Sequence, residues 1–103
     1  MVGLVFENRS YATNLDSLLG VWENHEVEDT VRLEVMQKLI YQGYLFSQPE
    51  YAFMLAKMQA ALAKKIKHKL WEAKALNNQA ITFSVRDDPF NAMDYCRKAL
   101  KLY

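Results

Sequence analysis

The residues with most chemical potential in this chain are cationic. Lys64-Lys65-Ile66-Lys67-His68-Lys69-Leu70-Trp71, followed by Lys74, places five lysines and a tryptophan within eleven residues. Ammonium groups neutralise phosphates, and an indole stacks on a base or anchors a protein interface. At helical spacing Lys57, Lys64, Lys67 and Lys74 point away from the apolar stripe, and Phe53 and Trp71 fall at one angle on that same outward side. A second cluster is aromatic: Tyr41, Tyr44, Phe46, Tyr51 and Phe53 surround a turn at Ser47. That is more ring surface than one hairpin of helices covers, so the excess reads as an interface with a second copy or another protein.

Catalytic and metal chemistry find little support. The two histidines, His25 and His68, lie far apart on polar stretches, and the one cysteine, Cys96, falls on an apolar stripe where a thiol is ordinarily buried. Glu23, His25, Glu26 and Glu28 crowd together without metal-ligand spacing and read as a solvated acidic connector. No glycine-rich phosphate loop and no nucleophile elbow occurs. The expectation is a protein without enzymatic activity, metal or cofactor.

The bulk numbers fit one folded unit spanning residues 1–103, with 51% hydrophobic and 24% charged residues. Three glycines and two prolines are too few for an all-β fold built on tight turns. A single cysteine excludes an intramolecular disulfide framework and suits a reducing compartment. With no secretory signal pattern and no apolar run long enough for a membrane span, a cytoplasmic protein that does not engage membrane is expected. The net charge of +1 hides a division. Residues 1–50 carry three basic and eight acidic side chains, a balance of −5, whereas residues 51–103 carry ten and four, a balance of +6. Such a chain has orientation on a charged partner.

The elements that must position these groups are mostly helical. Val2–Phe6 alternates like a short strand. Thr13 then resembles an N-cap, and Leu15, Leu18, Leu19 and Trp22 form one helical stripe ending near Asn24 or His25. From Thr30 to Phe46 apolar residues cover more than half the circumference, which predicts a helix sandwiched between neighbours. Ser47-Gln48-Pro49-Glu50 has the form of a capping box, with Phe46 and Tyr51 placed for a hydrophobic staple, so a helix begins at Gln48. Its stripe runs through Tyr51, Met54, Leu55, Met58, Leu62, Ile66, Leu70 and Ala73 to a stop at Asn77-Asn78. A helix of roughly 29 residues is about 44 Å long, more than a small domain covers. Residues 80–85 alternate with β-branched and aromatic side chains and read as a strand, to pair with residues 2–6. Asp88 and Pro89 open a last helix with Phe90, Met93, Cys96, Leu100 and Tyr103 on its stripe.

The sequence thus predicts a mainly α fold of about four helices, with a long central antiparallel hairpin and a small two-stranded ribbon joining 2–6 to 80–85. No internal repeat is visible. The function expected is a small protein–protein interaction module, an adaptor or modulator, that binds another protein or its own copy. Its partner-binding residues are Tyr44, Phe46, Tyr51, Phe53, Lys57, Lys64, Lys67, Trp71 and Lys74. The alternatives are a nucleic-acid-associated protein using the lysine face and a structural homo-oligomer.

Overall fold

Helices begin in this chain where a polar residue precedes a proline or a charged first turn. The computed structural model describes residues 14–102. Helix α1 spans 14–23 and α2 spans Asp29–Lys38, continuing as a π-helical segment over Leu39–Tyr44. Three further helices follow, α3 (Pro49–Lys65), α4 (Lys69–Val85) and α5 (Pro89–Leu100). From α2 onward, each helix packs on the next through a short turn, so successive helices run antiparallel. The result is a slab of 50 × 36 × 16 Å. No strand occurs among the described residues.

The core lies where α1, α2 and α3 meet the start of α4. Leu33, Met36, Leu39 and Ile40 are fully enclosed beside Trp22, Leu55 and Trp71, and Leu15, Leu18 and Leu19 of α1 pack onto the same cluster. Each large side chain removed from water contributes about 2 kcal/mol. The wide apolar face read in the sequence is therefore enclosed at Leu33, Met36, Leu39, Ile40 and Leu45, while Val31 at its start and Phe46 at its end stay exposed. Buried Ile40 and Leu45 are five residues apart, and the Leu45 N–H donates to the Ile40 carbonyl at 2.8 Å. In a regular α-helix residues five apart diverge by about 140°, whereas the wider π turn returns them to one side.

Buried Arg32 fixes the bend between α1 and α2. Its Nε donates to the Trp22 carbonyl at 2.7 Å, its Nη1 pairs with Asp29 at 3.1 Å, and its guanidinium lies 4.9 Å from the Trp22 ring centre. A carbonyl left over at the end of α1 thereby gains a charged donor.

Several expectations are corrected. The long helix is two helices, broken at Ile66-Lys67-His68. Nothing local marks the break, because Lys67 itself takes the left-handed conformation at φ 60° that usually calls for glycine. Folding α4 back on α3 buries Ala52, Leu55, Ala56 and Ala63 of α3 and Trp71, Ala73, Ala75 and Ala80 of α4, while Tyr51, Met54, Met58 and Leu70 of the predicted stripe stay exposed. Residues 80–85 are helical: Ala80 and Thr82 face the core, and Phe83 meets Phe53. Packing here outweighs strand propensity. The other half of the expected ribbon, residues 2–6, lies outside the described residues, as does Thr13. Asn77 and Asn78 do not stop a helix but sit inside α4. Ser47 is not a cap: Gln48 is the N-cap residue and Ser47 Oγ donates back to the Gly43 carbonyl at 3.3 Å. Phe46 is 77% exposed and forms no staple, while Tyr51 meets Tyr44 edge-on at 4.7 Å.

A regularity absent from the residue types appears in the backbone. α3, α4 and α5 start at residues 49, 69 and 89, and the two turns between them match. In the first, Lys67 has φ 60°, the His68 N–H donates to the Ala63 carbonyl, and the His68 ring accepts from the Trp71 N–H. In the second, Asp87 has φ 59°, the Asp88 N–H donates to the Phe83 carbonyl, and the Asp88 carboxylate accepts from the Asn91 N–H. Each turn closes one helix with a left-handed residue and caps the next with the residue that follows. The predicted opening of the last helix at Asp88-Pro89 stands.

Candidate interaction surface

The lysine run is redistributed by the break at Ile66–His68. Lys64 and Lys65 end α3, Lys67 lies in the turn and Lys69 starts α4, all four exposed, so they gather on one edge of the slab. Lys57 and Lys74 are exposed on the two helices that meet there. Lysines in the last turn of α3 complement the negative end of its dipole.

The aromatic partners expected beside these lysines are covered. Trp71 is only 8% exposed, and the Lys74 ammonium lies 4.6 Å from its ring centre. The indole is a core residue with a cation over it, not a platform open to a base. Phe53 packs edge-on against Phe83 at 5.2 Å and Tyr95 at 5.7 Å, and Phe83 stacks on Tyr95. Three helices thus meet through rings from α3, α4 and α5. Arg86 lies over this cluster, 4.3 Å from the Phe83 ring centre, and reaches Glu50 at 3.8 Å.

The aromatic turn also divides. Tyr41 reaches inward, its hydroxyl donating to Asn78 Oδ1 at 2.8 Å, and burial raises its phenol pKa. Tyr44 and Tyr51 pair with each other, Tyr51 remaining partly exposed, and only Phe46 stands free in water. Met54 and Met58, on the stripe predicted for the long helix, are exposed on α3, as is Leu70 on α4.

Sequence reading missed two features. One is a buried amide network. Asn78 Nδ2 donates to Gln37 Oε1 at 2.6 Å and to Gln59 Oε1 at 2.8 Å, and Gln59 Nε2 donates to Gln37 Oε1 and the Leu33 carbonyl at 3.1 Å each. It ties α2, α3 and α4 together at one level. Polar residues at helical spacing gave no sign that three amides would converge.

The other is the outer flank of α5. Phe90, Met93 and Leu100 lie on its predicted apolar stripe, yet they are 86%, 54% and 69% exposed. The helix instead buries Ala92 and Ala99, with Tyr95 partly covered. Cys96, expected to be buried, is exposed. A shallow, mostly apolar groove lies where α5 meets α4, lined by Ser84 of α4 and by Pro89, Ala92, Met93, Cys96, Arg97 and Leu100. The stripe itself was legible; what the reading lacked was that α5 has a neighbour on one side only.

Asp88, at the start of α5, has its carboxyl held below the ordinary aspartate value by hydrogen bonds from the Asn91 side chain and backbone. Among the described residues no three His, Cys, Asp or Glu side chains converge as metal ligands would, and no helix is long and apolar enough to cross a membrane. Compared with models of protein families, with curated proteins and with solved structures, the chain matches none.

Proposed function

We propose that this chain is a non-enzymatic protein–protein interaction module, an adaptor or modulator of a larger protein or assembly, whose partner seats on the outer flank of α5. The observation that carries this reading is the exposure of Met93 and Leu100 beside Arg97 along one groove, with Phe90 also exposed on the same helix. Large apolar side chains grouped in water are what interface cores are made of, and charged residues at their border orient the partner. The uneven charge of the two halves of the chain supports the same reading.

The nucleic-acid alternative rests on Lys57, Lys64, Lys67 and Lys74 by electrostatics alone, since Trp71 and Phe53 are engaged in packing. The two readings separate by mutation. Replacing Met93 and Leu100 with Glu removes protein binding and leaves any nucleic-acid binding intact. Replacing Lys64 and Lys67 with Glu has the opposite result. A wild type that retains neither its own copy nor any other protein through α5 overturns the interaction reading.

A further inference from the structure

The last four helices keep one spacing. α2, α3, α4 and α5 begin at residues 29, 49, 69 and 89, twenty apart. The matched turns at Lys67 and Asp87 make the α4–α5 hairpin a repetition of the α3–α4 hairpin, one helix further on. Positions twenty apart are therefore structural counterparts, and they reveal what such a hairpin holds.

The α3–α4 hairpin holds α5. Phe53 of α3 meets Tyr95, while Ala73 and Ala80 of α4 are buried, Ala73 beside Ala99 and Leu100. Twenty residues on, the counterparts of Phe53, Ala73 and Ala80 are Ala73, Met93 and Leu100. Met93 and Leu100 stand exposed on a groove that continues past Cys96 and Leu100 to Ala73, Lys74 and Asn77 of α4. On α4 its wall follows Ala73, Asn77 and Ser84, one side of that helix. The seat that α5 fills on one hairpin is thus open on the next, and its floor of Ala73, Ala92 and Ala99 is small enough for a helix to approach closely.

Charge decides which helix fits. Lys74 and Arg97 border the groove, one from each of its two helices, and among the described residues no carboxylate lines it. Neither cation forms an ion pair with a described residue. A second copy presenting the same groove would set these cations against their like.

We propose that the groove between α4 and α5 seats one amphipathic helix of a different protein, lying against α5 as α5 lies against α4, with aspartate or glutamate on both flanks of its apolar stripe. This inference rests on the interaction reading above and names the chemistry of the partner. The incoming helix covers Met93 and Leu100, which supplies affinity, and its carboxylates meet Lys74 and Arg97, which sets its orientation. One helix in a shallow groove buries a small area, so the affinity is micromolar.

Three synthetic peptides the length of α4 test this against the full chain, with fluorescence anisotropy as the measurement. One carries a leucine stripe flanked by glutamates, the second has lysine in place of each glutamate, and the third is the glutamate peptide broken by a central proline. The glutamate peptide is expected to bind in the micromolar range, and the other two about tenfold more weakly or worse. The double variant Lys74→Glu, Arg97→Glu is expected to reverse the preference between the first two. The milder pair Lys74→Gln, Arg97→Gln is expected to level it, and circular dichroism equal to wild type checks the folding of both. A wild type that binds none of the peptides overturns the helical seat, and leaves the broader interaction reading to the test with Met93 and Leu100 above. Equal binding of the glutamate and lysine peptides, or an order that the charge variants leave unchanged, overturns it too. So does a chain that sediments as a dimer and becomes monomeric with Met93→Glu, since a second copy then fills the groove.

Discussion

Asn78 and Gln59, on adjacent antiparallel helices, join their side-chain amides across 2.8 Å with both residues almost wholly buried. Gln37 lies within bonding distance of both, and Tyr41 closes the set through its hydroxyl. A buried amide that is fully paired adds modest net stability but is costly to orphan, so this junction selects one register of α2, α3 and α4.

Asn78→Leu is therefore expected to destabilise the fold by about 2 kcal/mol, because buried Gln59 and half-buried Gln37 and Tyr41 all lose a partner. Urea unfolding with an unchanged slope is the measurement. A loss below about 1 kcal/mol would mean that the amides re-pair or reach water.

Tyr41→Phe removes one hydrogen bond and costs about 1 kcal/mol at neutral pH. Burial also raises the phenol pKa above 10.0. The folded state then prefers the neutral phenol. Its contribution is whole below pH 10, where the unfolded phenol ionises, and is lost as pH rises through the folded value. Alkaline titration of stability is expected to show a loss in wild type that is smaller in Tyr41→Phe.

The matched turns make separate predictions. Lys67→Gly relieves a left-handed lysine and is expected to stabilise by about 1 kcal/mol. Asp87→Gly gains less, since aspartate tolerates that conformation better. Asp88→Ala removes the cap of α5 and lowers the melting temperature, whereas Asp88→Asn keeps an acceptor for the Asn91 N–H. Because the Asp88 pKa is lowered in the fold, its contribution is present above the ordinary value of 3.8 and lost as pH falls through the folded value. Asp88→Asn is expected to abolish that acid-side loss.

Two glycines should respond differently to alanine. A Cβ at Gly20 meets nothing within 4 Å, so Gly20→Ala is expected to stabilise α1 by about 0.5–1 kcal/mol. At Gly43 the same atom would stand 2.9 Å from Leu15 Cδ2, where α1 crosses the π-helical segment. Moving the Leu15 side chain offsets the gain, so Gly43→Ala is expected to stabilise less. Thermal melts of the two variants side by side check the difference.

Much of the helical fold was legible from residues alone. The Trp22 stripe, the sandwiched helix through Ile40 and the cap at Asp88 follow from side-chain period and turn chemistry, both local properties. The break at Lys67 was not legible, since neither glycine nor proline marks it and the apolar stripe runs straight through. Residues 80–85 misled for the same reason: Ile81, Thr82 and Val85 favour a strand when their neighbours are unknown.

At the candidate surface, residue type located the lysines and aromatics but not their exposure. Phe53 shares a side of α3 with Lys57 and Trp71 a side of α4 with Lys74, but only an unbroken helix would line the two pairs up; with α4 folded back, both rings pack inside while both lysines stay exposed. Sequence by itself determined a mainly helical chain, the positions of most helix starts, and the separation of acidic and basic halves. These are set by bonds and spacings within a few residues. Only the tertiary structure decided which apolar side chains are core and which are surface. That distinction depends on which helices have two neighbours and which, like α5, have one.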